Sequence, residues 1–336
     1  MDDFSSGIQA ELLAEIKKQS GINDSLNLTT IDKHLANKVL SQLTDTIKNL
    51  TIIRDLNWVR AARSGKNWTF KLSNRQTIRP KVLVLAGDAR LKESLMLKEV
   101  SPAQASSLAY SQTLYRTSIA AGTFLNKTTS TIVSLYSFLI PSQENLILLR
   151  ENESMLIGQA AGAIAAYAGF FGTNTSSANL KTIQGELINY KLAVMPFVDI
   201  RSDDPNWKAI QMLGLSGVIK AENIEHSTHF SARTLVSTEE IRQPLKDFFY
   251  KAQIWFDDYK AETMTVESTI SLICYVGNKS AENTLKEIEK KWKSSYKFTR
   301  DFDLKSAINR REFAALLQDY MPPFNVNVDK EGKVIR

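Results

Sequence analysis

The spacing of hydrophobic residues predicts helices along most of the chain. Apolar side chains recur every three or four positions in residues 7–20 and 237–259, among others, which is the pattern of an amphipathic helix. Apolar and polar residues alternate, as in a strand, in residues 68–72, and residues 81–85 form an apolar run of strand length. The pattern therefore predicts a mainly α protein with a small β element near residues 67–86.

A long stretch with very few charges, residues 100–180, is rich in Ala, Ser, Thr and Gly. Such a stretch is either a protein core or a membrane span, because unpaired charge is costly in both places. Its apolar runs predict helices over residues 101–125, 128–140 and 154–171. The last is the only membrane-span candidate, but its borderline length and Gln159 favour a tightly packed, buried helix.

The chain is expected to divide into two helical lobes with an arm at each end. The loop at residues 172–179 is rich in Asn, Ser and Thr and is the best candidate for a boundary. Each arm could dock on its own body or on a neighbouring subunit. The expected organisation is an N-terminal helical arm (1–29), an N-terminal helical lobe (30–172), a C-terminal helical lobe (173–320) and a C-terminal extended arm (321–336).

The positive charge of the chain is concentrated in one region. The whole chain has a net charge of +6, whereas residues 54–98 alone hold eleven basic and three acidic residues. A local excess of this kind indicates a polyanionic partner more than a general solubility charge does. A solvated basic surface without a ligand is the alternative reading.

Aromatic residues are interleaved with the basic ones in two places. Trp58 and Trp68 lie among the arginines of the first cluster, and residues 290–300 form a second cluster with five basic residues and no acidic one. Aromatic rings can stack on bases while Arg and Lys contact phosphates. The alternative is that both tryptophans are core anchors, which is at least as common for Trp.

Other candidate sites are weak. Gly87 follows an apolar run but lacks the glycine-rich spacing of a phosphate-binding loop. His226 and His229 could share a helix face, yet no further His or Cys cluster supports a metal site, so none is expected. The single cysteine, Cys274, is expected to be a packed thiol. Arg116 is an isolated charge that is either ion-paired in the core or presented to an anion, and we favour the anion.

The layout of arm, helical lobe, helical lobe and arm, with a basic cluster in each lobe, resembles the nucleocapsid proteins of negative-strand RNA viruses. This resemblance implies a protein that clamps single-stranded RNA between its lobes without sequence specificity and that oligomerises by exchanging arms. It further implies location in the virion and the host cytoplasm and a viral polymerase as another partner. We expect no enzymatic activity, no cofactor and no membrane association.

The residues expected to bind RNA are the basic ones of both clusters together with the isolated arginine: Arg54, Arg60, Arg63, Lys66, Lys71, Arg75, Arg79, Lys81, Arg116, Lys290, Lys291, Lys293 and Arg300. Three other functions remain open. The chain could be the helical coat protein of a filamentous plus-strand RNA virus, or an enzyme with a dispersed active site, against which the scarcity of His argues. It could also be a helical scaffold or membrane-associated protein that places its basic face on anionic lipid.

Overall fold

A computed structural model of the chain describes residues 5–21, 32–65, 67–97, 101–122, 130–141, 143–151 and 153–335. The structure is 46% helical and 15% strand, with several small sheets. The prediction of a mainly α protein is therefore wrong, and the fold is mixed α/β. The β element near residues 67–86 is present but is only part of the strand content.

The elements are numbered in chain order. The helices are α1 (Gly7–Ser20), α2 (Lys33–Asp45), α3 (Ala89–Ser94), α4 (Met155–Phe171), α5 (Leu180–Asn189), α6 (Trp207–Ser216), α7 (Thr238–Phe248), α8 (Tyr250–Asp258), α9 (Val266–Gly277), α10 (Ala281–Ser294) and α11 (Arg310–Tyr320). The strands are β1 (Trp58–Ser64), β2 (Asn67–Leu72), β3 (Thr77–Ile78), β4 (Leu83–Ala86), β5 (Ser106–Ser107), β6 (Ser118–Gly122), β7 (Thr131–Ser134), β8 (Leu146–Leu149), β9 (Glu222–Ile224) and β10 (Ser227–His229).

The chain forms two compact units, and each is built from segments that are distant in sequence. The first unit consists of Met1–Gln104, Leu135–Asn179 and Tyr190–Leu192. The second unit consists of Ala105–Ser134, Leu180–Asn189 and Ala193–Arg336.

In the first unit, β1, β2 and β3 form an antiparallel sheet, and β4 pairs in parallel with β8. Trp68 and Phe70 of β2 are buried against Leu85 of β4 and Leu146 and Leu148 of β8. The alternation that predicted β2 arises because every second side chain of a strand points to the same face, here toward this core.

The N-terminal helix α1 packs on α2 and α4 of the same unit. The backbone N–H of Ile8 donates to the side-chain oxygen of Gln159, 2.9 Å away. Gln159, the polar residue of the otherwise apolar α4, thus has a hydrogen-bond partner at the start of α1. The helix predicted over residues 154–171 is present as α4, and Ser154 caps it by accepting from the N–H of Leu156. It is buried on one face only, so the prediction of a fully packed helix is wrong for its other face.

The predicted helices over residues 101–125 and 128–140 are wrong. The described part of this region instead contains β5, β6 and β7 with two short 3-10 turns, while residues 123–129 lie outside the described residues. Every residue of β6 and β7 is buried. Both strands are covered on both faces, and the hydroxyl groups of Ser118, Thr131 and Ser134 are hydrogen-bonded inside the protein, so neither strand alternates between buried apolar and exposed polar residues. The β-branched residues of β7 favour a strand.

In the second unit, three chain segments meet in a closed ring of backbone hydrogen bonds. The N–H of Val236 donates to Ile308 O (2.9 Å), that of Ile308 donates to Met264 O (2.9 Å), and that of Met264 donates to Val236 O (3.0 Å). The three segments, which we call the ring segments, are therefore related by approximate threefold symmetry.

Each ring segment leads into a helix with the same reciprocal cap. The capping residues are Ser237 before α7, Thr265 before α9 and Asn309 before α11, and each bonds with the residue three positions later. The helix predicted over residues 237–259 begins where the cap predicts, but it breaks at Phe249 into α7 and α8. The repeat went unnoticed in the sequence because its three copies share few side chains.

Along the described parts of the chain, no helix combines the length and the apolar character needed to cross a membrane.

Candidate nucleic-acid interface

One face of the β1–β2–β3 sheet carries basic side chains. Arg60 pairs directly with Lys71, which in turn pairs with Thr77. These three residues are exposed, whereas Trp68 and Phe70, at the alternate positions of β2, are buried. Because directly paired residues point to the same face of an antiparallel sheet, Arg60 and Lys71 form one outward-facing pair of cations.

Two further cations lie beside this pair. Arg75 is in the turn between β2 and β3, Arg79 directly follows β3, and both are exposed. We call Arg60, Lys71, Arg75 and Arg79 the basic sheet surface. None of the four forms an ion pair with another described residue. Their charges are therefore available to an anionic partner.

Lys81 bonds to the last turn of α4, where two exposed aromatic residues follow. Its ammonium group donates to the carbonyl oxygen of Gly169, 2.9 Å away, at the end of α4. Phe170 is 83% exposed and Phe171 60% exposed, and their ring centroids are 5.0 Å apart. Sequence reasoning missed this pair, although two large apolar residues directly before the terminal Gly172 of an otherwise small-residue helix were a visible signal.

The two tryptophans of the basic region are core anchors. The indole N–H of Trp68 donates to Asn145 O, and that of Trp58 donates to the carboxylate of Asp88, each over 2.9 Å. Partial burial raises the pKa of Asp88, but the hydrogen bonds from Leu91 N–H and Trp58 outweigh it and leave this pKa below its usual value. Trp68 is fully buried and presents no face to a base, and Trp58 is half-buried against the same core.

Arg63 also points inward. It pairs with Trp68 in the sheet, and its guanidinium lies 5.0 Å from the centre of that indole ring. It donates to the side chain of Gln143 and to Glu144 O. Arg63 therefore fastens β1 to the loop before β8. Arg54 is exposed in the segment before β1, and Lys66 lies outside the described residues.

Three of the five basic residues of the second cluster form ion pairs within the second unit. Lys291 pairs with Glu287 at 2.7 Å, Lys293 with Asp301, and Arg300 with Glu312 at 2.6 Å. The hydrogen bond that Lys291 donates to Glu287 raises the pKa of Lys291. The aromatic residues of this cluster, Trp292, Tyr296 and Phe298, are buried, and Lys290 and Lys297 are its exposed members without an ion pair among the described residues.

Arg116 is buried in the second unit. Its guanidinium donates to Ser216 O at 3.0 Å and to Gly332 O at 3.3 Å, and it lies 5.0 Å from the ring centre of Phe248. These contacts tie the turn before β6 to α6 and to the C-terminal tail. The structure thus gives Arg116 a packing role and not an outward-facing one.

The remaining candidates are structural. His226 lies in the turn between β9 and β10, and the side chains of His226 and His229 are therefore on a hairpin and not on one helix face. No group of three or more metal-binding side chains occurs within the described ranges. Cys274 is a buried free thiol, as predicted.

Comparison with known proteins gives no further information, since no family, no curated protein and no solved structure matches this chain.

Proposed function

We propose that the chain binds single-stranded RNA without sequence specificity through the first unit. The observation that carries the proposal is the basic sheet surface, whose four cations are exposed and unpaired among the described residues. Lys81 and the exposed pair Phe170 and Phe171 complete it, because cations that contact phosphates and rings that stack on bases are the usual parts of such a site. The second basic cluster is left out, since three of its five cations are ion-paired and its aromatic rings are buried.

The resemblance to nucleocapsid proteins extends this proposal to the coating of RNA by many copies of the chain. In that role the protein would be a component of a viral nucleoprotein. Coating of RNA requires binding to RNA, so binding is tested first.

The test is a titration of a fluorescent single-stranded RNA at several salt concentrations. Each phosphate neutralised on a single strand contributes about 0.7 to the slope of log affinity against log salt, so five cations predict a slope of about 3.5. The variant Arg60→Gln/Lys71→Gln should lower this slope by about 1.4. A slope that this variant leaves unchanged would refute the assignment of the surface.

The matched control removes two paired cations from the second unit. Lys286 and Lys293 are exposed and are ion-paired with Glu282 and Asp301. The variant Lys286→Gln/Lys293→Gln has the same net charge as the test variant. If it lowers the slope equally, the binding follows overall charge and the basic sheet surface is not the site.

One observation favours a second candidate, which is binding to an anionic membrane surface. Exposed aromatic rings beside lysine and arginine also suit the lipid interface, and Phe170 and Phe171 next to Lys81 meet that description. Flotation with phosphatidylserine vesicles separates the two functions. Flotation without RNA binding would replace the RNA proposal with a lipid one.

A further inference from the structure

The second and third ring segments of the second unit are preceded by the same aromatic pair. Trp255 and Tyr259 precede the segment that leads into α9, and Trp292 and Tyr296 precede the one that leads into α11. The spacing between Trp and Tyr is identical in the two copies. The two sites can therefore be compared, and one difference between them is the presence of a cation.

In the third copy, the chain supplies its own cation. The guanidinium of Arg300 lies 5.6 Å from the centre of the Trp292 ring. Its Nε donates to the Glu312 carboxylate at 2.6 Å, and its Nη1 donates to the hydroxyl of Ser306 at 2.6 Å. The site thus holds a guanidinium between an indole ring, a carboxylate and a hydroxyl group.

In the second copy, an open pocket of about 530 Å³ lies between α8 and α9. Its lining combines three aromatic rings, two carboxylates and three hydroxyl groups, and it includes no basic side chain: Trp255, Asp258, Tyr259, Thr265, Glu267, Ser268, Ser271 and Tyr275. We call it the α8–α9 pocket. Residues 153–335 are all described, and within them neither Asp258 nor Glu267 forms an ion pair.

The connecting segment explains why this copy has no cation of its own. Five positions separate Tyr259 from the ring residue Met264, whereas twelve separate Tyr296 from Ile308. Arg300 belongs to the longer connection, and the shorter one has no counterpart. The position that corresponds to Glu312 holds Ser268 in this copy, and Glu267, one position earlier on the first turn of α9, supplies a carboxylate to the pocket.

The indole ring of Trp255 is held in place by a hydrogen bond and by stacking. Its N–H donates to the hydroxyl of Ser271 on α9 at 3.1 Å. Its ring stacks on Tyr259 with centroids 4.5 Å apart and planes 24° apart. Tyr275, two turns along α9 from Glu267, is 44% exposed at the edge of the pocket. The pocket therefore presents preformed aromatic surface next to carboxylates.

We propose that the α8–α9 pocket binds a guanidinium group supplied from outside the chain. A guanidinium is planar and weakly hydrated, so it stacks on aromatic rings while its N–H groups reach carboxylate and hydroxyl oxygens. Asp258 and Glu267 supply the opposite charge, and Thr265 and Ser271 supply further acceptors. The group belongs either to an arginine side chain of a partner protein or to a small alkylguanidine.

The test is an NMR titration of the ¹⁵N-labelled full chain with two probes and one uncharged control. The probes are the peptide acetyl-Gly-Arg-Gly-amide and agmatine, and the control peptide carries citrulline in place of Arg. We expect shifts of the Trp255 indole N–H signal with a dissociation constant of about 1–10 mM, and no shift with citrulline. Tighter binding of the peptide indicates a protein partner, and tighter binding of agmatine indicates a small molecule.

The variant Asp258→Asn/Glu267→Gln should weaken binding about tenfold, because it removes both charges without changing side-chain size. The control variant Glu262→Gln/Glu282→Gln removes two exposed carboxylates that do not line the pocket, and it should bind as the native protein does. Tyr275→Ala, at an exposed position, should weaken binding about threefold. Equal binding of the citrulline peptide, or equal loss in the control variant, would overturn the proposal.

Discussion

Lys181 on α5 offers a test of how burial sets the pH dependence of stability. Its pKa is lowered from 10.5 to about 8, first by burial and then by the nearby charge of Arg116. Its ammonium group lies 4.7 Å from the ring centre of Phe324 in the C-terminal tail. In the folded protein the charged form of Lys181 is therefore less favourable than it is in the unfolded chain.

The magnitude follows from the size of that shift. A pKa lowered by this amount corresponds to roughly 3 kcal/mol against folding when the lysine is charged in both states. Because the lysine is charged in both states at neutral pH, this full amount is the cost there.

The direction of the pH effect is fixed by proton uptake. Below pH 8 Lys181 is charged in both the folded and the unfolded states, so the full cost is present. Between about pH 8 and 10.5 the unfolded chain binds more protons than the folded one, and stability therefore rises with pH. Above 10.5 the lysine is neutral in both states and the cost is gone.

The variant Lys181→Met removes the charge and keeps an apolar side chain against Phe324. In urea unfolding it should exceed the native protein in free energy of unfolding by roughly 3 kcal/mol near pH 7, and the difference should nearly vanish at pH 10.5. Lys208→Met, at an exposed position of α6, is the control and should show no such change. A Lys181→Met protein less stable than the native one near pH 7, or a difference independent of pH, would refute the reasoning.

Three further predictions concern packing and RNA binding. Gly217→Ala should destabilise the protein by at least about 2 kcal/mol, because the backbone there has a φ of 73° and a Cβ would lie 1.9 Å from the hydroxyl oxygen of Tyr115. Gly162→Ala, inside α4 with open space around it, should instead stabilise by about 0.5–1 kcal/mol, and thermal unfolding measures both. Phe170→Ala/Phe171→Ala should weaken RNA binding about tenfold with an unchanged salt slope, since stacking is lost and no phosphate contact is. A changed slope would contradict that role.

Local signals predicted the parts of the fold that depend on neighbouring residues. The starts of α4 and α7 were correct because Ser154 and Ser237 cap within three positions of themselves. The strands β6 and β7 were mistaken for helices because a charge-free run of small and β-branched residues suits either a buried helix or a buried strand. What decides between them is pairing with a distant segment, which a local pattern does not contain.

In the candidate site, too, local sequence predicts some contacts and not others. Arg60 and Arg63 are three positions apart, so on one strand they must point to opposite faces. The opposite orientation of the two arginines therefore follows from the sequence once β1 is recognised as a strand. The pairing of Lys293 with Asp301 follows from nearby sequence, but that of Arg300 with Glu312 joins a loop to a helix. A count of basic residues over a short window cannot include acidic residues that arrive from outside it.

The closed ring of Val236, Met264 and Ile308 has a consequence for the order in which the second unit can be made. Each two of the ring segments share one antiparallel bridge, at Leu235 with Asn309, Ser237 with Thr263 and Thr265 with Ala307, and the ring closes only when all three bridges have formed. During synthesis the ribosome must therefore release the chain beyond residue 310 before the ring can close. Until then, the first two segments expose the backbone groups that pair with the third segment in the folded protein. During this interval a chaperone or an aggregation partner could bind those groups.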